Sequence, residues 1–152
     1  MHTSQDFTWK VRVRGDTAKG AVAFARNQSF IIGKQASFNE TEPHPSAVDY
    51  LLSALAGDLI IGFQNAATRR NLLVDALEAR VTGTLNNPLV FLGVVGEEGH
   101  PGFEEIACTL YVSADADEPL LQQSWQETLA RSPLVNTLKG SVKLTLQMQF
   151  IL

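Results

Sequence analysis

The sequence predicts an α+β domain in which antiparallel strands pack against a long central helix. Segments in which apolar and polar residues alternate occur in groups of three, which is typical of sheets built from neighbouring strands. The helical segments do not alternate singly with strands, as they would in a doubly wound parallel fold. The predicted order is β-β-β-α-β-β-β-α-β. Because 152 residues suffice to bury one core, we expect a single domain over residues 1–152.

The first third of the chain has the pattern of an antiparallel meander. Apolar side chains occupy alternate positions of the first predicted strand, residues 7–13: Phe7, Trp9, Val11 and Val13. A turn at Gly15 follows, and two more short strands are predicted at residues 20–26 and 29–33.

A long helix is predicted from about Ala47 to Arg70. Its apolar residues recur at intervals of three and four: Val48, Leu51, Leu52, Leu55, Leu59, Phe63 and Ala66. Ser46 is a suitable N-cap, and Asp49 three residues later makes a variant of the capping box. Further apolar residues widen this surface almost all round the helix. One small domain would not cover such a surface alone, so we expect a second copy of the chain to cover part of it.

In the second half of the chain, apolar and polar residues alternate again. Three strands are predicted, at residues 77–81, 90–95 and 106–112. A second helix begins near Asp117 with Pro119 in its first turn, and Ser132 and the proline after it end or kink this helix. A helical turn at residues 134–138 leads to the most regular alternating strand, residues 142–150.

Composition and charge exclude several classes of partner. The net charge is -4 and the pI is near 5.3, and the 12 basic residues are scattered, so we expect no nucleic-acid partner. The N-terminus lacks the basic-then-apolar order of a signal peptide, and a single cysteine cannot form an intramolecular disulfide, so we expect a cytoplasmic protein. The apolar stretch at residues 50–63 is interrupted by Asp58 and is too short to cross about 30 Å of hydrocarbon. We therefore expect no membrane segment.

The histidines and the cysteine do not indicate a metal or a cofactor. His2, His44 and His100 lie far apart, and none has the two-to-five spacing of paired ligands. Cys108 shares a strand face with Ile106, and a cysteine among aliphatic residues behaves as a small hydrophobe with a raised pKa. We therefore expect Cys108 to be a core residue, and we expect no cofactor.

Two segments carry a resemblance to a known family. Residues 45–58, PSAVDYLLSALAGD, resemble the start of the central helix of the OsmC/Ohr family, the osmotically inducible and organic-hydroperoxide-resistance proteins. Residues 131–138, RSPLVNTL, resemble the second signature of that family. Arg26 and Asn27, followed by residues 30–32, are similar to a less specific pattern in one branch. The resemblance implies an OsmC-like fold and an intertwined homodimer. It also implies sites at the subunit interface, where a helix cysteine attacks a peroxide and a second cysteine resolves it as a disulfide.

This chain departs from the family pattern at both cysteines. Asp58 stands at the peroxidatic position and Ser132 at the resolving position, and neither side chain can form a thiolate or a sulfenic acid. Val48 stands where hydroperoxide-reducing members have a glutamate. Asp49 lies half a turn round the helix from Asp58, which favours a helix-capping role over a catalytic one. The resemblance therefore implies a member that has lost the thiol peroxidase site.

The candidate pocket residues are Asp58, Ser132 and Arg26. Asp58 falls on the inward stripe of the long helix, where an unpaired carboxylate is unfavourable by several kcal/mol on the order-of-magnitude scale. One alternative is that it faces a water-filled remnant of the ancestral pocket or pairs with a basic residue such as Arg26. The other is that it binds a cation, an amine or a metal, or acts as a general base.

These observations leave three functions open. The first is a non-catalytic or small-ligand-binding role in the interfacial pocket. The second is an enzyme that uses Asp58, with or without Arg26. The third is a peroxide-stress redox protein that works through Cys108 or a partner thiol. Whether any catalytic activity remains is not decided by the sequence, because a fold does not fix a function.

Overall fold

The computed structural model describes residues 7–35 and 41–151. The chain divides into two compact units, Met1–Tyr50 and Leu51–Leu152. Over the described residues the order of elements is β-β-β-α-β-α-β-α-α-β. The α+β class predicted from the sequence is confirmed, although the middle of the chain differs from the predicted order.

The first unit contains a three-stranded antiparallel sheet. Its strands are β1 (Arg12–Asp16), β2 (Gly20–Ala25) and β3 (Gln28–Ile32), in that spatial order. The predicted meander is therefore confirmed, although β1 begins five residues later than predicted. The Asp16 carboxylate closes the first turn because its Oδ1 accepts the backbone N–H groups of Lys19 at 3.0 Å and Ala18 at 2.9 Å. These donors lower the pKa of Asp16.

The long helix α1 (Ala47–Arg69) begins at the predicted capping box. The backbone N–H of Ser46 donates to the Asp49 carboxylate at 2.8 Å, and the Asp49 N–H donates to the Ser46 hydroxyl at 3.3 Å. This reciprocal pair satisfies N–H groups that a helix start leaves without intrahelical partners. In the same unit, the Tyr50 hydroxyl donates to the carbonyl of Ile31 in β3 at 2.6 Å and fixes the first turn of the helix against the sheet.

The second unit contains a three-stranded mixed sheet. Strand β4 (Leu73–Leu85) pairs antiparallel with β5 (Phe103–Asp115), which pairs parallel with β6 (Lys143–Ile151). The inward residues of β5 are fully or almost fully buried: Ile106, Cys108, Leu110 and Val112. They form one core with Leu55, Leu59 and Phe63 of α1. This packing places one face of the helix against the sheet.

The parallel pairing of β5 and β6 departs from the antiparallel expectation. Helices α3 (Glu118–Arg131) and α4 (Pro133–Leu138) lie between these strands in sequence and return the chain to the same end of the sheet. Parallel neighbours require such a crossover connection, which antiparallel neighbours do not. Leu121 and Trp125 of α3 are four residues apart, so they lie on one face of the helix, and both join the core.

The predicted strand at residues 90–95 is wrong. The chain forms a short helix there, α2 (Pro88–Phe91), followed by a turn with Gly93 at φ 74°. The Asn87 side chain caps this helix by accepting the N–H of Leu89 at 3.1 Å, and Pro88 fits the first helical position because its missing N–H is not needed there. The hairpin from Leu85 to Phe103 then pairs β4 directly with β5. The apolar run at residues 90–95 lacks the strict alternation that distinguishes a half-buried strand.

Helix α1 is also long and apolar enough to cross a membrane if only length and composition are considered. The apolar stretch at residues 50–63, which is too short to cross a membrane, is thus part of a longer helix that passes this test. A core helix of a soluble domain passes the same test. Because Leu55, Leu59 and Phe63 have no exposed surface and pack in the core of the second unit, we interpret α1 as a core helix.

Candidate functional site

The structure brings Asp58 and Ser132 into direct contact. Asp58 lies near the middle of α1, and Ser132 is the residue between α3 and α4. The Ser132 hydroxyl donates to Asp58 Oδ2 at 2.5 Å and accepts the N–H of Val135 at 3.0 Å. Ser132 is buried, and Asp58 is half-buried. One hydroxyl therefore caps α4 and supplies the hydrogen bond that a partly desolvated carboxylate requires.

The local sequence explains why Ser132 is held in this position. Its backbone is extended, with φ -68° and ψ 118°, so α3 ends there and α4 begins with Pro133 at its first position. A residue before proline is driven out of the helical region, and serine is among the best N-cap residues. The side chain of Asn136 reinforces the junction by donating to the Ser132 carbonyl at 2.7 Å.

Asp58 and Ser132 line a surface cavity of about 230 Å³. Its walls come from one stripe of α1 and from the C-terminal end of α3 with the start of α4: Asp58, Ile61, Gly62, Asn65, Arg69, Glu127, Thr128, Arg131, Ser132 and Pro133. Gly62 allows the two helices to approach, because a Cβ there would lie 3.1 Å from the Thr128 methyl group. All of these residues belong to the second unit.

Arg26, the third sequence-predicted site residue, is not among the residues that line this cavity. It belongs to the first unit, in the turn between β2 and β3, with a left-handed φ of 55°. There it lines a separate depression with Phe7, Thr8, Trp9 and Lys10. The structure thus brings together two of the three candidates, and the hydrogen bond to Asp58 comes from Ser132.

An arginine cluster at the cavity was not predicted. The Glu127 carboxylate accepts from Arg70 and from Arg69 Nη2, the latter at 2.7 Å, and Arg131 Nη1 lies 3.4 Å from its Oε1. The hydrogen bonds from Arg70 and Arg69 lower the pKa of Glu127 to about 2. Three guanidinium groups around one carboxylate give this cluster a formal charge of +2 at neutral pH.

Part of this cluster has a signal in the sequence. Asp58, Gly62, Asn65 and Arg69 follow one another at helical spacing, so α1 carries a polar stripe beside its apolar one. Glu127 and Arg131 are separated by four residues, the spacing of a helical ion pair. The contact between the two helices joins residues 57 or more positions apart, which no local pattern reveals.

The other candidate groups that the structure describes are not among the residues that line the cavity. Cys108 is 1% exposed, and burial raises the pKa of its thiol, which agrees with its predicted role in the core. His44 pairs with Glu42 at 3.0 Å, His100 lies in the loop before β5, and His2 lies outside the described residues. In residues 7–35 and 41–151, no three His, Cys, Asp or Glu side chains are grouped to hold a metal ion.

A second depression, of about 370 Å³, lies on the sheet of the second unit and shares no lining residue with the first. Its main polar residues contact one another: Arg80 lies 3.1 Å from Glu78 and stacks over the ring of Tyr111. We therefore assign the candidate site to the cavity at Asp58, which contains a carboxylate without an ion-pair partner among the described residues.

Comparison with known proteins identifies the family. The family model "OsmC-like protein" matches residues 39–147. The chain belongs to the OsmC family. The match includes α1 and the α3–α4 junction, so both walls of the cavity fall within the region that the family shares. A search of the curated proteins found no match.

Solved structures of OsmC relatives share the fold at low sequence identity. An OsmC-like protein from Mycoplasma pneumoniae is 17% identical with a TM-score of 0.79, over 97% of this chain and 99% of that one. The organic hydroperoxide resistance protein OhrB of Bacillus subtilis is 19% identical with a TM-score of 0.60, over 94% of this chain and 98% of that one. An OsmC-like protein of unknown function from Vibrio cholerae is 9% identical with a TM-score of 0.71, over 95% and 99%. At these identities the likeness shows the fold alone.

Proposed function

We propose that this protein is an OsmC-family member that has no thiol peroxidase activity and binds a small molecule in the cavity at Asp58. The observation that carries the proposal is the hydrogen bond of 2.5 Å between Ser132 and Asp58. The family resemblance implies that this bond lies where the two reacting cysteines would meet. A hydroxyl and a carboxylate then occupy a position at which the family requires two sulfur atoms.

The remaining cysteine is a poor replacement for the lost pair. Peroxide reduction by a thiol requires a thiolate that attacks the O–O bond, followed by a second thiol that condenses with the sulfenic acid. Cys108 is almost inaccessible, and its raised pKa disfavours the thiolate. It contributes to the core between Ile106 and Leu110. These properties support a packing role rather than a redox role.

Small-ligand binding is supported by what the cavity retains. It is lined by charged, polar and apolar groups, and a half-buried carboxylate on its wall has no described ion-pair partner. Concave sites with a few converging polar groups are the usual places where proteins bind small molecules. Losing the nucleophile would leave such a site able to bind without reacting.

An enzyme that uses Asp58 as a general base is the second candidate. The short hydrogen bond from Ser132 favours it, because a carboxylate that accepts a hydroxyl proton can polarise that hydroxyl. It is less well supported, because the Ser132 oxygen is already engaged as the cap of α4 and none of the described histidines lines the cavity. A role for Ser132 as nucleophile would require that cap to be broken.

We also propose that the protein is a homodimer, as the family resemblance implies. In the first unit, a row of apolar side chains on the predicted first strand is more than half exposed: Phe7, Trp9, Val11 and Val13. In the second unit, Ile61 of α1 is 59% exposed and Leu73 is 72% exposed. Exposed apolar side chains that lie together mark interaction sites in soluble proteins, and the rings of Phe7 and Trp9 stack with their centroids 6.3 Å apart. A second copy of the chain would bury them.

The test of the lost peroxidase function is turnover of an organic hydroperoxide. Purified protein is incubated with cumene hydroperoxide and a dithiol reductant, and peroxide consumption is followed beside a Cys108→Ala variant. We expect both proteins to match the background rate, since neither has an accessible thiolate. Turnover by the native protein that disappears in the variant would show that Cys108 supports a redox function and would overturn the proposal.

A further inference from the structure

The charges of the cavity are separated along helix α1. Asp58 and Arg69 are 11 residues apart on α1, which places them on nearly the same face of the helix. Asp58 contacts Ser132 at the end of α3, whereas the Arg69 side chain reaches Glu127, which lies five residues earlier and about 7 Å away along that helix. The cavity therefore has an acidic end and a basic end.

The basic end has donors available for an anion. Arg69 uses Nη2 to reach Glu127, and Arg131 approaches the same oxygen at 3.4 Å. Their side chains remain 48% and 69% exposed. Each guanidinium has five N–H donors in a planar fork that matches a carboxylate. Since Glu127 neutralises only one of the three arginines around it, this end attracts a negatively charged group.

The acidic end lacks a positive partner within the described part of the chain. Asp58 accepts one hydrogen bond, from Ser132 to Oδ2, and no ion pair to it is formed by the described residues. A half-buried carboxylate gains from a cation or from a charged N–H donor near its second oxygen. Ile61 and Pro133 supply apolar surface in the same cavity, against which a short hydrocarbon linker can pack.

The size of the cavity limits the ligand. A volume of about 230 Å³ is below the range of about 300–1,000 Å³ that is usual for drug-sized molecules. A molecule of amino-acid size fits this space better than a lipid, a nucleotide or a long peptide.

We propose that the cavity binds a small zwitterion, with its acid group against Arg69 and Arg131 and its amine against Asp58. This inference rests on the proposed ligand-binding function and names the chemical class of the ligand. It is carried by the opposite charges at the two ends, the exposed guanidinium groups and the volume.

The experiment uses the full chain and a set of matched probes. Binding of 4-aminobutanoate and 6-aminohexanoate is measured by calorimetry and by the NMR shifts of cavity residues, beside hexanoate and hexylamine, which each lack one charged group. We expect at least one amino acid to bind at least tenfold more tightly than hexanoate and hexylamine.

Two substitutions test which residues bind the amine and which bind the acid group of the ligand. Asp58→Asn should weaken binding of the amino acid at least tenfold and leave hexanoate unchanged, while Arg131→Gln should weaken the amino acid and leave hexylamine unchanged. Arg80→Gln, on the sheet surface away from the cavity, is the control for a general loss of positive charge. Circular dichroism of each variant shows whether it is folded.

Two results would overturn the inference. If hexanoate binds as tightly as the amino acids and Asp58→Asn has no effect, the cavity is a simple anion site. If neither amino acid shifts the cavity resonances at millimolar concentration, the cavity does not bind this class. Either result leaves the loss of peroxidase function standing, since that part of the proposed function fails only if the native protein turns over hydroperoxide.

Discussion

Replacing Ser132 with alanine should remove two hydrogen bonds at once. The hydroxyl donates to Asp58 and accepts from the N–H of Val135. Loss of a helix N-cap costs about 1 kcal/mol. Loss of a hydrogen bond to a charged group costs about 1.5–3 kcal/mol, and the lower end applies here because Asp58 is half-exposed. We therefore expect Ser132→Ala to lower the free energy of unfolding by about 2.5 kcal/mol.

A double-mutant cycle separates the two contributions. Asp58→Ala removes only the bond between the side chains, so it should lower the free energy of unfolding by about 1.5 kcal/mol. The double variant should lose about 2.5 kcal/mol rather than the sum of about 4, because both single changes remove the same bond. Urea unfolding followed by circular dichroism, at one protein concentration, measures these values.

An exposed serine elsewhere in the chain supplies the control variant. Ser141→Ala changes an exposed serine on the loop before β6 and should stay within about 0.5 kcal/mol of the native protein. If the two single effects add in the double variant, the hydrogen bond between Ser132 and Asp58 does not stabilise the fold, and our description of the cavity wall is wrong.

Three other predictions follow from the charges and the burial. Because the folded-state pKa of Glu127 is lowered from 4.5 to about 2, its contribution to stability is present above about pH 4.5 and is lost as the pH falls toward 2. Acid titration of unfolding should therefore show a flatter dependence in Glu127→Gln than in the native protein, with Glu104→Gln as the exposed control, and equal slopes would refute the arginine cluster. Cys108 should react with an aromatic disulfide reagent far more slowly in the native protein than in denaturant, and equal rates would show that it is accessible. Sedimentation should give a dimer at micromolar concentration, with an interface above about 2,000 Å², and a monomer would contradict the proposed homodimer.

Much of the fold could be predicted because its signals are local. The meander, the capping box of Ser46 and Asp49, and the buried face of Cys108 each follow from a few neighbouring residues. The prediction of a strand at residues 90–95 was wrong because an apolar run alone does not distinguish a strand from a short helix. The Asn87 cap and the proline after it were the better guides.

The parallel pairing and the arginine cluster could not be read from local patterns. The parallel pairing depends on the end of the sheet to which α3 and α4 return the chain. The arginine cluster depends on contacts between α1 and α3. The contact between Asp58 and Ser132 is equally distant in sequence, 74 residues. The family resemblance predicted it, because it assigns the two segments to one site.

The most direct test of the central claim is the double change Asp58→Cys with Ser132→Cys. If these residues occupy the positions of the family's reacting cysteines, the two new thiols should face each other, as the present hydrogen bond indicates. Mild oxidation should then form a disulfide between positions 58 and 132, provided the Cα atoms lie within about 7 Å. Mass spectrometry of the digested protein should detect this crosslink, while Cys108 remains a free thiol. A folded double variant that forms no crosslink between the two positions would contradict the claim.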